Sequence, residues 1–174
     1  MTTRRIITEP NKILRQISVP VEFVGKEEQK LMDDMLETMY EANGIGLAAI
    51  QIGVPKRIIV LDIYKKENEK NPMYFINPII KNKNNKLNTY EEGCLSVPNQ
   101  FAEIDRPSTC DVEYLDYYGE QRILRAEGLL ATCIQHEIDH LEGVLFIDYL
   151  SKLKKTMIIK KLSKQKNKID RIVV

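Results

Sequence analysis

The 174-residue chain has two histidines, four residues apart in His136-Glu137-Ile138-Asp139-His140. On a helix that spacing projects both imidazoles from one face, one turn above the other. Two imidazoles so placed can hold one metal ion, and Glu137 can take the proton of a water that the ion activates. The competing reading is a pair of surface histidines on an amphipathic helix. Against it stands the preceding run, Gly128-Leu129-Leu130-Ala131-Thr132-Cys133-Ile134-Gln135, which is too apolar for a solvated helix.

A catalytic site of this kind takes three protein ligands and keeps one position open. Downstream, Gly143 falls in step with an extended protease motif, but Phe146 occupies the place of its third histidine. Glu142 is the only glutamate after His140 and follows it too closely to close the ring. Asp148 and Asp170 remain open, with no motif around either. Of the three cysteines, Cys110 belongs to an alternating strand pattern and reads as packing. Cys133, His136 and His140 on one rigid helix would spread over ~10 Å, too far for ligands held at ~2.0–2.3 Å from one ion. Cys133 therefore reads as an inert thiol packed under the site. Cys94, after Gly93 in an irregular element, is the better third ligand. A glutamate buried beside that element, Glu92, would need a charged partner, and Arg106 can supply it. Glu91 reads as an exposed acid.

The elements that must position these residues follow from periodicity. A short helix is predicted at Pro10–Gln16 and a stronger one from Lys26 to Glu41, with Leu31, Met35, Leu36, Met39 and Tyr40 at helical spacing and Asn43-Gly44 as its stop. Arg57–Asp62 reads as a buried strand, Tyr64–Asn71 as a charged loop, and Met73–Ile80 as a strand interrupted by Pro78. Lys81–Asn88 reads as a polar turn region. Strands follow near Phe101–Ile104, Cys110–Asp116 and Arg122–Ala126, with a turn at Tyr118-Gly119-Glu120. The histidine helix spans Gly128–Leu141, and a last helix begins near Ser151. The order helix, many strands, helix, helix argues an α+β fold, with antiparallel or mixed strands around the metal-binding helix, in one domain over 1–174.

The net charge of +1 gives no global push toward DNA or a membrane. No apolar stretch approaches the ~20 residues of a membrane span. The first residues lack the apolar core of a signal peptide, and an odd, small cysteine count suits a reducing compartment. A cytoplasmic monomer is the expectation.

Three elements converge in order along the chain: Gly44-Ile45-Gly46-Leu47-Ala48-Ala49-Ile50-Gln51, Glu92-Gly93-Cys94-Leu95-Ser96, and Gln135-His136-Glu137-Ile138-Asp139-His140. Together they resemble the three signature motifs of the peptide deformylases, and the likeness extends from Pro10 to the helix after Ser151. The resemblance implies removal of the formyl group from the N-terminal formylmethionine of nascent polypeptides, releasing formate. It implies Cys94, His136 and His140 as metal ligands and Glu137 as general acid/base. Gln51 and the Leu95 N–H would be the oxyanion donors. Gly46 would bind the substrate backbone, while Ile45, Leu129 and Cys133 line the methionine pocket. Glu92 and Arg106 would support the metal loop. It also implies iron(II), with zinc, nickel or cobalt as substitutes. Phe101 departs from the pattern, standing where many bacterial relatives carry a basic residue. Two rivals are a metallopeptidase built on the same helix and an inactive ribosome-associated metal protein.

From Ser151 onward, nine cationic side chains (Lys152, Lys154, Lys155, Lys160, Lys161, Lys164, Lys166, Lys168 and Arg171) face one acid, Asp170. Leu153, Met157, Ile158 and Leu162 are expected to form one buried stripe. A solvated face docked by that stripe is one reading. The resemblance implies the other, contact with the ribosome through a basic C-terminal helix.

Overall fold

The computed structural model describes residues 2–63 and 70–172, with side chains in the last helix through residue 165. Most of the charged loop expected at Tyr64–Asn71 lies outside the described residues, as do the side chains of Lys166, Lys168, Asp170 and Arg171. The fold is α+β. Helix α1 covers Lys26–Glu41, α2 Gly128–Leu141 and α3 Lys152–Ile172. Strands are β1 (Gly46–Ala48), β2 (Ile58–Leu61), β3 (Met73–Lys83), β4 (Leu87–Cys94), β5 (Val97–Pro107), β6 (Thr109–Leu115) and β7 (Gln121–Glu127). They form a five-stranded sheet in the order β1-β2-β3-β6-β7 and a separate β4-β5 hairpin. Every strand pairing is antiparallel.

The unbroken apolar run in β2 has a simple cause: helices cover both sides of it. Ile58 and Val60 pack with Met32, Met35 and Met39 of α1, while Ile59 and Leu61 face Ala131, Ile134 and Leu141 of α2. Alternate side chains point to opposite faces, so a strand covered on both must be apolar throughout. A third cluster joins Val97 and Ile104 of β5 to Phe146, Ile147 and Leu162.

Four details differ from the sequence expectation. The first helix is only a 3₁₀ turn, Lys12–Arg15. Pro78 does not end β3; the ladder shifts register between Ile76 and Ile79, where Asn77 takes φ +51°. A bulge of this kind removes the need for the N–H that proline lacks. The polar turn region narrows to 84–86, because β3 and β4 extend into it from either side. The segment leading to Cys94 is a strand that the sequence did not mark, and its register shifts between Gly93 and Cys94, so the irregularity expected at the cysteine is present at the strand's end. Its alternation is hidden because the inward face carries the polar or amphipathic residues Asn88, Tyr90 and Glu92, the last of them bonded to Arg106 and His136.

Helix α3 corrects another expectation. Leu162 is buried and Ile158 half-buried, but Leu153 and Met157 are 71% and 62% exposed. They are not part of the docked stripe, which is made by Ile158, Ile159 and Leu162. Among the described residues no helix is long and apolar enough to cross a membrane.

Candidate active site

Helix α2 presents Leu129, Thr132, Cys133, His136 and His140 at steps of three and four residues, so they share a face. Opposite it, the β4–β5 turn brings in Cys94, Leu95 and Ser96. Ligand atoms of Cys94, His136 and His140 lie within 4.8 Å of one another, and Cys94 Sγ is 3.2 Å from His140 Nε2. A tetrahedral ion needs such a spread for ligands at ~2.0–2.3 Å. The outer nitrogen of His136, Nδ1, meets Glu92 Oε2 at 2.8 Å, which leaves Nε2 for an ion. One thiol and two imidazoles, one of them oriented by a carboxylate, fit a transition-metal ion. His140 Nδ1 is buried with no partner among the described residues, and burial lowers the pKa of this ring, which keeps it neutral as a ligand must be.

Behind the ligands lies a closed charge network. Arg106 Nε donates to Glu92 Oε1 at 2.5 Å and its terminal nitrogen to Oε2 at 3.0 Å. A second terminal nitrogen reaches Asp139 Oδ2 at 2.8 Å, which also accepts from Tyr149 Oη at 2.8 Å. The Tyr149 ring lies 4.9 Å from the guanidinium centre. Burial opposes the charge on Glu92, but hydrogen bonds with His136 and Arg106 outweigh it and hold its pKa below the usual range. Cys133 is different: burial pushes its thiol up to about 12, so it stays protonated.

In front of the ligands opens a cavity of about 560 Å³, lined by Gly44, Ile45 and Gly46 on one side, Gly93, Leu95 and Phe101 on another, and Leu129, Thr132 and Cys133 beneath. Glu137 borders it, 5% exposed, and burial pushes its carboxyl up to about 7. A Cβ on Gly46 would lie 2.4 Å from Glu137 Oε1, so only glycine lets β1 approach the acid this closely. Gln51 sits in the 3₁₀ turn after β1. Its Oε1 accepts from Ala48 N at 2.8 Å, which aims Nε2 at Ser96 Oγ (3.1 Å) and Cys94 Sγ (3.5 Å). The N-terminal segment ties these two turns together, with Ile7 N donating to Gln51 O at 2.7 Å and Glu9 N to Ser96 O at 2.8 Å. Phe101 is 65% exposed and lays its ring against Gly93, its cross-strand partner.

The structure thus brings the twelve sequence-singled residues to one place, ten of them bordering the cavity or belonging to the candidate ligand set, with Glu92 and Arg106 bracing His136 from behind. Sequence reasoning missed Ser96, Asp139, Tyr149 and Thr132. Thr132 was within reach, since it stands three residues after Leu129 and four before His136. The contacts of Ser96 and Tyr149 cross between elements and carry no local signal.

Residues 3–156 match the family model described as Polypeptide deformylase. A peptide deformylase of Pelagibacter ubique is 72% identical over 174 residues, the whole of both chains. The crystal structure of the Ehrlichia chaffeensis peptide deformylase in complex with actinonin superposes with a TM-score of 0.91 at 44% identity, covering 95% of this chain and 98% of that one. A Met-Ala-Ser-bound peptide deformylase from Acinetobacter baumannii gives 0.81 at 32% identity, covering 86% and 99%. On the site geometry and these likenesses together, the chain belongs to the polypeptide deformylase family, whose members are metalloenzymes that remove the N-formyl group from nascent polypeptides.

Proposed function

We propose that this chain hydrolyses the formyl amide of N-terminal formylmethionine with Cys94, His136 and His140 as metal ligands. The observation that carries the reading is the convergence of those three side chains at the wall of one cavity that Cys94, His136, Gln51 and Glu137 line. Bound there, the ion supplies Lewis acidity, polarising the formyl carbonyl and acidifying water. The Gln51 amide, already fixed by Ala48, and the Leu95 N–H donate to the oxygen on which negative charge develops. Such a donor contributes roughly 2.7–4 kcal/mol to the transition state. Glu137 takes a proton from the attacking water and delivers it to the methionine nitrogen as the C–N bond breaks and formate leaves. Its raised pKa suits both halves of that transfer near neutrality. The substrate backbone adds along the outer edge of β1 at Gly46, and the side chain enters between Ile45, Leu129 and Cys133.

Iron(II) is the ion we assign, with zinc, nickel or cobalt as substitutes; a mixed thiolate and imidazole set accepts all four. The chain acts as a cytoplasmic monomer of one domain, and its basic α3 contacts the ribosome. Metal-loaded protein is expected to release formate from formyl-Met-Ala-Ser under reducing, anaerobic conditions and to leave the acetyl analogue intact. Internal peptide cleavage would instead favour a metallopeptidase, and absence of formate from fully metallated protein would overturn the assignment. Glu137→Ala should retain the ion and lose turnover by ~10²–10⁴-fold; loss of the ion would make Glu137 structural.

A further inference from the structure

Thr132 is 3% exposed and borders the cavity, yet its Oγ1 is buried with no hydrogen-bond partner among the described residues. Hydroxyls inside helices normally turn back to the carbonyl four residues earlier. The three other serine and threonine hydroxyls of the described α-helices do so: Thr38 to Asp34 O at 2.6 Å, Thr156 to Lys152 O at 2.8 Å and Ser163 to Ile159 O at 2.9 Å. Thr132 does not. Leaving a buried hydroxyl unpaired costs roughly 1–3 kcal/mol, so its retention beside a ligand cavity calls for a partner that arrives with the ligand.

Position identifies that partner. Thr132 precedes His136 by four residues, about 6 Å along the helix axis. In formylmethionine the thioether sulfur is five bonds from the formyl carbon, about 6 Å when extended. With the formyl group beside His136, the sulfur reaches the turn of α2 that carries Thr132. The surrounding residues, Ile45, Leu129 and Cys133, offer little to distinguish a thioether from a methylene of the same shape.

We propose that Thr132 is a specificity-determining residue, its hydroxyl donating a hydrogen bond to an acceptor in the first side chain of the substrate. The pocket then prefers methionine to its isostere norleucine, and it admits the sulfoxide, whose oxygen is the stronger acceptor. The inference rests on the deformylase reading above.

The test compares kcat/KM for formyl-Met-Ala-Ser, formyl-norleucine-Ala-Ser and formyl-Met-sulfoxide-Ala-Ser in metal-loaded wild type, Thr132→Val and Thr132→Ser. Ratios between substrates on one enzyme cancel active fraction and fold stability, so a merely structural residue would not move them. Wild type should favour methionine over norleucine by about three- to tenfold, the range of one modest hydrogen bond. Thr132→Val should bring that ratio near one and cut the sulfoxide relative to norleucine by about tenfold. Thr132→Ser should restore both. Ratios that Thr132→Val leaves within twofold of wild type would overturn the role of Thr132 while leaving the deformylase reading intact. No formate from any of the three would overturn both.

Discussion

Helices α2 and α3 are both amphipathic in sequence, but they treat charge in opposite ways. On α2, His136, Glu137 and His140 are buried, and Asp139 is met by Arg106 and Tyr149. On α3, Lys154, Lys160, Lys161 and Lys164 stand in solvent, and Lys155 reaches back to Asp148 at 2.5 Å. A buried charge costs several kcal/mol unless paired, whereas an exposed one costs almost nothing. Charge on α2 is therefore committed to one geometry. Charge on α3 is left available to a partner outside the chain.

The largest expected effect breaks the α2 arrangement. Arg106→Leu strands the Glu92 carboxylate in the interior and should destabilise the protein by about 3–5 kcal/mol in denaturant unfolding. Metal affinity, followed by chelator competition, should fall by about 10–100-fold because Glu92, no longer fixed by Arg106, orients His136 less firmly. A loss below about 1 kcal/mol would mean that the network is not what commits α2.

A smaller effect concerns the latch between α3 and the body. Burial opposes the Asp148 charge, but the Leu145 N–H, Lys155 and Arg15 hold its pKa below the usual value. A carboxyl whose folded pKa is depressed contributes stability above its unfolded pKa of about 3.9, and that contribution is lost as pH falls through the folded value. Amide protection along α3, corrected for the intrinsic exchange rate, should fall below about pH 4, and Asp148→Asn should remove that step. A step persisting unchanged in the variant would place the latch elsewhere.

The mildest structural effect is predicted on the exposed face of α3. Reversing Lys154, Lys160, Lys161 and Lys164 to Glu should change stability by no more than about 0.5 kcal/mol per site. Ribosome co-sedimentation should weaken far more than turnover of a short formyl peptide, and wild-type binding should fall steeply with salt. Equal co-sedimentation of both proteins would remove the ribosome from the account of α3.

Much of the fold was legible where one period governed a segment. Helices α1 and α2 begin and end where their apolar spacing and stop signals predict, because local propensity and burial agree there. The same reasoning failed at β4, whose inward residues Asn88, Tyr90 and Glu92 are no more apolar than the outward ones, so no alternation marks it. It failed again on α3, where the pattern showed two apolar stripes merged into one. Ile158, Ile159 and Leu162 find Val97, Ile104 and Phe146, while Leu153 and Met157 stay largely exposed outside that cluster.

At the candidate site, residue type, spacing and the motif resemblance were enough to name the family and to propose a ligand set whose donor atoms the structure brings within 4.8 Å of one another, because coordination chemistry constrains which atoms can gather around one ion. They could not reveal that Gln51 is aimed by Ala48, that Glu92 is bracketed by His136 and Arg106, or that Thr132 alone among the serines and threonines of the described α-helices lacks a backbone partner. Those facts depend on the direction of single hydrogen bonds, most of them between segments far apart in the chain. Only packing in three dimensions decides where such a bond can close.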